Sequence, residues 1–260
     1  MSVFGELAAL RERPIGDQGP MRALAAGHRG HRLDLSDPRS VEPLIDLATL
    51  GIAGRNHYAH DRNPPYFQAI PGAVDQLLVR RGVAERLVRV NAALAACRLE
   101  LFVFDAWRPT AVQAFFFETW VPAELARRRP DLAAAALTAE VRRFWSPPTV
   151  DLASPAPHST GGAVDLTIRW KDTGEPLWMG SIFDDASDIA LTDHFERPVA
   201  GEISFSNDEA RANRRLLHWL MVDQGFAAHP NEWWHFGYGE LIWARLTGAP
   251  AGFYGFIGEV

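Results

Sequence analysis

The sequence predicts an α+β fold with a central, mainly antiparallel sheet and flanking helices. Two segments predict the sheet: the apolar run L-E-L-F-V-F at 99–104 and the alternating A-V-D-L-T-I at 163–168 have the composition and two-residue period of strands. A third observation predicts the helices, because apolar residues recur at helical spacing just before the first run and again between 206 and 225.

The chain has 260 residues, 47% apolar and 22% charged, enough for one generous domain spanning 1–260. The net charge is −6, Lys171 is the only lysine, and the arginines are scattered rather than gathered in a run. No nucleic-acid partner is expected from such a distribution. No stretch reaches the roughly 18 apolar residues that span a bilayer, so no membrane partner is expected either. The first residues, M-S-V-F-G-E-L-A-A-L-R-E-R-P, break their apolar positions with charge and lack the core of an export signal. A cytoplasmic protein, with a homo-oligomer as one option, is the expectation. Cys97 lies among alanines and reads as a small core residue, and one cysteine permits no internal disulfide.

In chain order, Pro14, Gly16, Gly19, Pro20, Gly27, Gly30 and Pro38 predict an irregular N-terminal extension over 1–40. From Ala84, the positions Leu87, Val88, Leu94 and Ala95 predict a helix that packs on the strand at 99–104. That strand ends at D-A-W-R-P, where Pro109 opposes continuation, and Thr110 with Gln113 has the form of a capping box. Val112, Phe115, Phe116 and Trp120 give the next helix an apolar face that Pro122 is expected to end. Residues 123–150 read as partly helical, with a break at Pro147 and Pro148. Ser206 with Glu209 forms a second capping box, Leu216, Leu217, Leu220 and Met221 form a buried stripe, and Gly225 is placed as a stop. The aromatic P-N-E-W-W-H-F then reads as a strand ending in G-Y-G.

The chemistry concentrates in two segments, H-S-T-G-G-A-V-D (158–165) and E-W-W-H (232–235). On a strand, Asp165 points away from the apolar set Val164, Leu166 and Ile168. His158 stands seven positions earlier, an odd offset for one continuous strand, but Gly161 and Gly162 permit the turn that lets both side chains converge. A catalytic zinc ion takes three protein ligands of this kind and keeps one position open. His235 is the best third ligand among the nine histidines, and Glu232 beside it is placed to carry protons without binding metal. Taken singly, the first segment also reads as a structural histidine with a capped or solvated aspartate, and the second as a packed aromatic strand with exposed polar ends. His28, His31, His57, His60, His194, His218 and His229 are read as structural. There is no G-x-S-x-G for a serine hydrolase, and six residues between His158 and Asp165 do not fit the H-x-D/E of an iron oxygenase.

Together the motifs resemble H-S-x-G-x-A-x-D … E-W-W-H of the D-alanyl-D-alanine dipeptidases, zinc enzymes of the vancomycin-resistance type within the hedgehog/D,D-peptidase group. F-D-A-W-R-P and D-T-G-E-P-L-W-M-G-S-I-F-D match further motifs of that family in the same order, between about residues 98 and 236. The resemblance implies a hedgehog/D,D-peptidase-like fold and one Zn2+ held by His158, Asp165 and His235. It implies Glu232 as general base and acid, Arg108 as oxyanion stabiliser, and Asp184 as the group that binds the ammonium of a small dipeptide. It departs from the family at Ala156, where those enzymes usually carry serine, and at Leu47, where they carry tyrosine. Those departures leave open a related zinc peptidase acting on a different wall-derived or secondary-metabolite peptide, and a non-catalytic zinc-binding module of the same group.

Overall fold

The computed structural model describes residues 3–145, 147–148, 151–197 and 204–258. Two helices, α1 (Val3–Glu12) and α2 (Gly19–Ala26), replace the irregular lead-in expected over 1–40. Apart from Gly5 within α1, the glycines and prolines fall between, at the ends of or after these helices. Gly16 turns the chain at φ 82°, Pro20 sits in the first turn of α2 where its missing N–H loses no bond, and Gly27 follows the last turn. Nor is α1 peripheral. Arg11 Nη1 donates to Asn213 Oδ1, and Arg13 O accepts from Trp219 Nε1 at 2.9 Å.

A small antiparallel pair, β1 (Leu44–Asp46) with β3 (Leu78–Arg80), brackets the two-residue strand β2 (Ala53–Gly54). Helix α3 (Arg81–Ala95) follows, burying Val83, Leu87, Val90 and Leu94 beside strand β4 (Leu99–Asp105). Val88, expected on that face, is 40% exposed. The main sheet runs β2-β4-β5-β7-β6, where β5 is Ala163–Trp170, β6 Ala227–Ala228 and β7 His235–Gly237. Only β2–β4 is parallel, so the sheet is mixed and the fold α+β.

After β4 one helical run passes through α4 (Thr110–Phe115), a π-helical turn (Phe116–Trp120) and α5 (Val121–Arg128). Pro122 therefore begins a segment instead of ending one, because the widened turn before it makes room for the ring. The Thr110–Gln113 capping box does not form: Pro109 is the cap, and Gln113 Oε1 accepts from Arg108 Nη1 at 3.0 Å. Helix α6 (Ala134–Phe144) ends ahead of Pro147.

Helix α7 (Phe205–Val222) is capped by Ser204, two residues before the expected Ser206, and Glu209 instead binds Arg11 and Asn213. Its stripe of Leu216, Leu217, Leu220 and Met221 is buried as expected. The last helix, α8 (Leu241–Thr247), is capped by the Glu240 carboxylate, which accepts from the Ile242 and Trp243 amides at 2.6 Å. No helix among the described residues is long and apolar enough to cross a membrane.

Strand β5 is buried on both faces from Ala163 to Ile168. One face packs Val164, Leu166 and Ile168 into the core with Leu101 and Val103 of β4. The other carries Asp165 beneath the loops that build the site.

Candidate active site

Register sets the site. Asp105 of β4 lies opposite Asp165 of β5, and Asp165 lies opposite His235 of β7. Directly paired residues project to the same face, so three strands present these side chains as one row. The E-W-W portion of the expected aromatic strand is not strand; it is a turn in which the His235 amide donates to Glu232 O at 3.1 Å. That turn carries Glu232 next to its neighbour's ring.

His158 reaches the row from a single 3-10 turn, His158–Thr160, closed by Gly161 at φ 69°. A Cβ at Gly161 would stand 2.7 Å from Leu44 Cδ2, and one at Gly162 would stand 2.7 Å from Tyr238 O. Both glycines are thus required by conformation or by space. On its outer side the turn is held by the C-terminal stretch, where the Ile257 amide donates to Ser159 O at 2.9 Å.

His158 Nδ1 lies 2.7 Å from Ala106 O, which fixes the proton on Nδ1 and leaves Nε2 as a free lone pair. That Nε2 is 3.1 Å from His235 Nδ1 and 3.3 Å from Asp165 Oδ2, and His235 Nδ1 is 3.0 Å from Asp165 Oδ1. A tetrahedral ion with bonds of about 2.0–2.1 Å has ligand-to-ligand edges of about 3.3–3.4 Å, close to the observed spacing. Asp165 Oδ1 is buried and makes no well-aligned hydrogen bond, which leaves it available to a cation. Burial would raise the Asp165 carboxyl, but the two imidazoles outweigh it and hold the group well below the carboxylate range. This buried His-Asp-His group fits a metal ion.

Around it stand the other predicted residues. Arg108 is 8% exposed; its Nε donates to Asp105 Oδ2 at 2.8 Å and its Nη2 to Tyr58 Oη and Asp165 Oδ2 at 3.3 Å. Burial lowers its affinity for a proton, and the surrounding Tyr58, Asp105, Asp165 and Asp184 raise it further than burial lowers it, so it is a permanent cation. Glu232 Oε2 is 3.5 Å from His235 Nδ1, and enclosure in the cleft pushes its carboxyl up to about 7. Asp184, in the left-handed region at φ 59°, accepts from Tyr58 Oη at 2.7 Å and Tyr66 Oη at 2.8 Å. Burial, reinforced by the Asp165 charge, pushes Asp184 up to about 7.

Several neighbours escape sequence reasoning. Tyr58 and Tyr66 come from a segment with no periodic pattern. Asp105 stands within the quoted D-A-W-R-P, but only the strand register reveals that it braces both Arg108 and His158, whose Nδ1 is 3.3 Å away. Of the histidines read as structural, His28, His31 and His57 bond backbone carbonyls. His229 instead lines the cavity over His158, Asp165 and His235, its ring centroid 5.2 Å from that of His235.

Residues 44–246 match the profile of the D-ala-D-ala dipeptidase family, peptidase M15. The chain belongs to this family. It is 34% identical over 179 residues to a D-alanyl-D-alanine dipeptidase of Synechocystis sp., covering 64% of this chain and 71% of that protein. Dipeptidases of the same name from Enterococcus faecium and Enterococcus faecalis are 29% and 31% identical over 163 and 164 residues, each covering 63% of this chain and 74% of theirs. As a D-ala-D-ala dipeptidase family member the chain is a metallopeptidase. The match begins well before residue 98, where the quoted motifs start, and takes in Tyr58 and Tyr66; α1 and α2 lie outside it.

Proposed function

We propose that this metallopeptidase hydrolyses D-Ala-D-Ala or a closely related D,D-dipeptide with one zinc ion held by His158, Asp165 and His235. The observation that carries this reading is the cluster of His158 Nε2, His235 Nδ1 and the two Asp165 carboxylate oxygens, with contacts of 3.0–3.3 Å between residues and the Glu232 carboxylate 3.5 Å from His235 Nδ1. When bound, zinc supplies Lewis acidity toward the scissile carbonyl and makes a water acidic enough to attack near neutral pH. Glu232 takes the proton from that water and returns it to the departing amine, a task suited to a carboxyl with affinity near 7. Arg108, fixed by Asp105 and Gln113, donates to the oxygen on which negative charge develops, a preorganised contribution of about 3–4 kcal/mol. Asp184, steadied by two tyrosine hydroxyls, receives the free ammonium and so favours dipeptides over the interior of longer chains. The same reading takes residues 1–260 as a single domain of hedgehog/D,D-peptidase type.

A second reading, a zinc peptidase for a different small peptide, is favoured by Ala156, which lines the chamber with a methyl group where the family resemblance places serine. One preparation separates the two. Purified protein should carry about one zinc per chain and cleave D-Ala-D-Ala, and chelation should abolish the activity. Glu232→Gln should keep the metal and lose about 10²–10⁴-fold in kcat. Normal turnover in that variant removes Glu232 from the mechanism, and preference for an L,L or longer peptide supports the second reading.

A further inference from the structure

Glu232 and Trp145 are shared by three cavities. One is the 70 Å³ catalytic chamber itself. A second, of 200 Å³, is acidic on balance, with Asp184, Asp185 and Asp188 among its walls and Arg22, common to it and the third cavity, as its one cation among the described lining residues. The third, of 410 Å³, also shares His229 and Ile242 with the chamber but not Asp184, and it is basic. Its cationic walls come from Arg22 and Arg29 in and after α2 and from Arg142 near the end of α6, and among its described lining residues Glu232 is the only acid.

We infer that this basic cavity is the subsite for the leaving half of the substrate, and that Arg29 and Arg142 receive that half's free carboxylate. The inference rests on the dipeptidase reading above. A dipeptide is a zwitterion with its ammonium and carboxylate on opposite sides of the scissile bond. Two cavities of opposite sign that meet at the proton-carrying carboxylate orient such a molecule in one direction, and Asp184 lies on the acidic side.

The arginines differ in their availability. Arg22 is already committed to Asp193, with contacts of 2.9 and 3.1 Å to the two carboxylate oxygens. Arg29 and Arg142 are exposed and have no ion-pair partner among the described residues. Arg142 only approaches the Phe117 ring, 5.8 Å from its centroid. A guanidinium with free donors at a cavity wall is the group best shaped for a carboxylate. Ala156 offers no hydroxyl donor on the chamber side, where Arg108 and Gln113 are tied to each other, which leaves Arg29 and Arg142 as the uncommitted guanidinium donors. Arg29 precedes residue 44, where the family match begins, so this receptor is an addition to the shared fold. At 410 Å³ the cavity is also in the size range of small-molecule sites, ample for a C-terminal residue larger than alanine.

The test compares D-Ala-D-Ala with its C-terminal amide on the zinc-loaded enzyme, wild type and Arg29→Gln/Arg142→Gln. The double variant should raise KM for the free acid about 10- to 100-fold with little change in kcat, so that the acid-to-amide ratio of kcat/KM collapses toward one. Arg29→Lys/Arg142→Lys should recover most of the preference. Calorimetric titration of D-Ala-D-Ala into Glu232→Gln protein should show the same factor in Kd when both arginines are replaced. An acid-to-amide ratio within twofold of wild type in the double variant overturns the inference while leaving the dipeptidase reading intact. Failure of the wild-type holoenzyme to cleave any D,D-dipeptide overturns both.

Discussion

The sheet face and the basic rim solve recognition in different ways. On the sheet, Asp105, Asp165 and His235 are aligned by backbone pairing, and each is braced by buried partners at 2.8–3.3 Å through Arg108 and His158. On the rim, Arg29 and Arg142 project from the segment after α2 and from α6 with no fixed partner among the described residues. The contrast shows chemistry anchored where the chain has least freedom and selection placed where side chains can adapt.

Replacement of a member of the row should break it outright. Asp165→Asn removes the one anionic ligand and leaves Arg108 and two imidazoles around a neutral amide. Metal retained after dialysis should fall to near zero and hydrolysis with it, measured by elemental analysis; a variant that keeps stoichiometric metal would show that register alone does not make the site. The corresponding changes on the rim should spare metal content entirely.

A second effect separates both regions from the seam between α1 and α7. His218 is buried in α7, and burial, with Arg13 adding to it, lowers its affinity to about 4 from an ordinary 6.5. The folded protein therefore needs this imidazole neutral. The His218 contribution to stability should be level above pH 6.5 and fall as pH drops from 6.5 toward 4, by about 3 kcal/mol at the lower end. The difference in thermal unfolding between wild-type and His218→Gln apoprotein, followed against pH, should show this slope; a difference that does not change with pH would remove His218 as its source.

The smallest predicted effect lies between the two regions. Tyr66→Phe removes one of two hydroxyls from Asp184 and should raise KM for D-Ala-D-Ala about tenfold with metal content unaltered. Equal losses in kcat and kcat/KM would show that Asp184 acts in the transition state and not in holding the amino end.

How much of this was legible in the sequence follows the same division. Asp165, His158 and His235 announce themselves because their neighbours are constrained: a strand alternation, two glycines and an aromatic run. The helix over α3 and the stripe of α7 are legible from spacing for the same reason. The helices α1 and α2 are not, since glycine and proline mark boundaries as readily as loops, and only tertiary contacts such as Arg11 to Asn213 tell which. The cap of α7 slipped by two residues because Ser204 and Ser206 are chemically equivalent and Glu209 found other partners. Tyr58 and Tyr66 act through approach across the fold, over 126 and 118 residues, Arg29 only through its place on a cavity wall, and no local pattern encodes either.

The amide of Ile257 on the carbonyl of Ser159 has a consequence for synthesis. The three candidate ligands all precede residue 257, so one tie on the turn that aims His158, beside those from Arg80 and Ala106, comes from a residue translated after them. A nascent chain therefore carries the complete candidate ligand set before it carries the last of the braces on that turn.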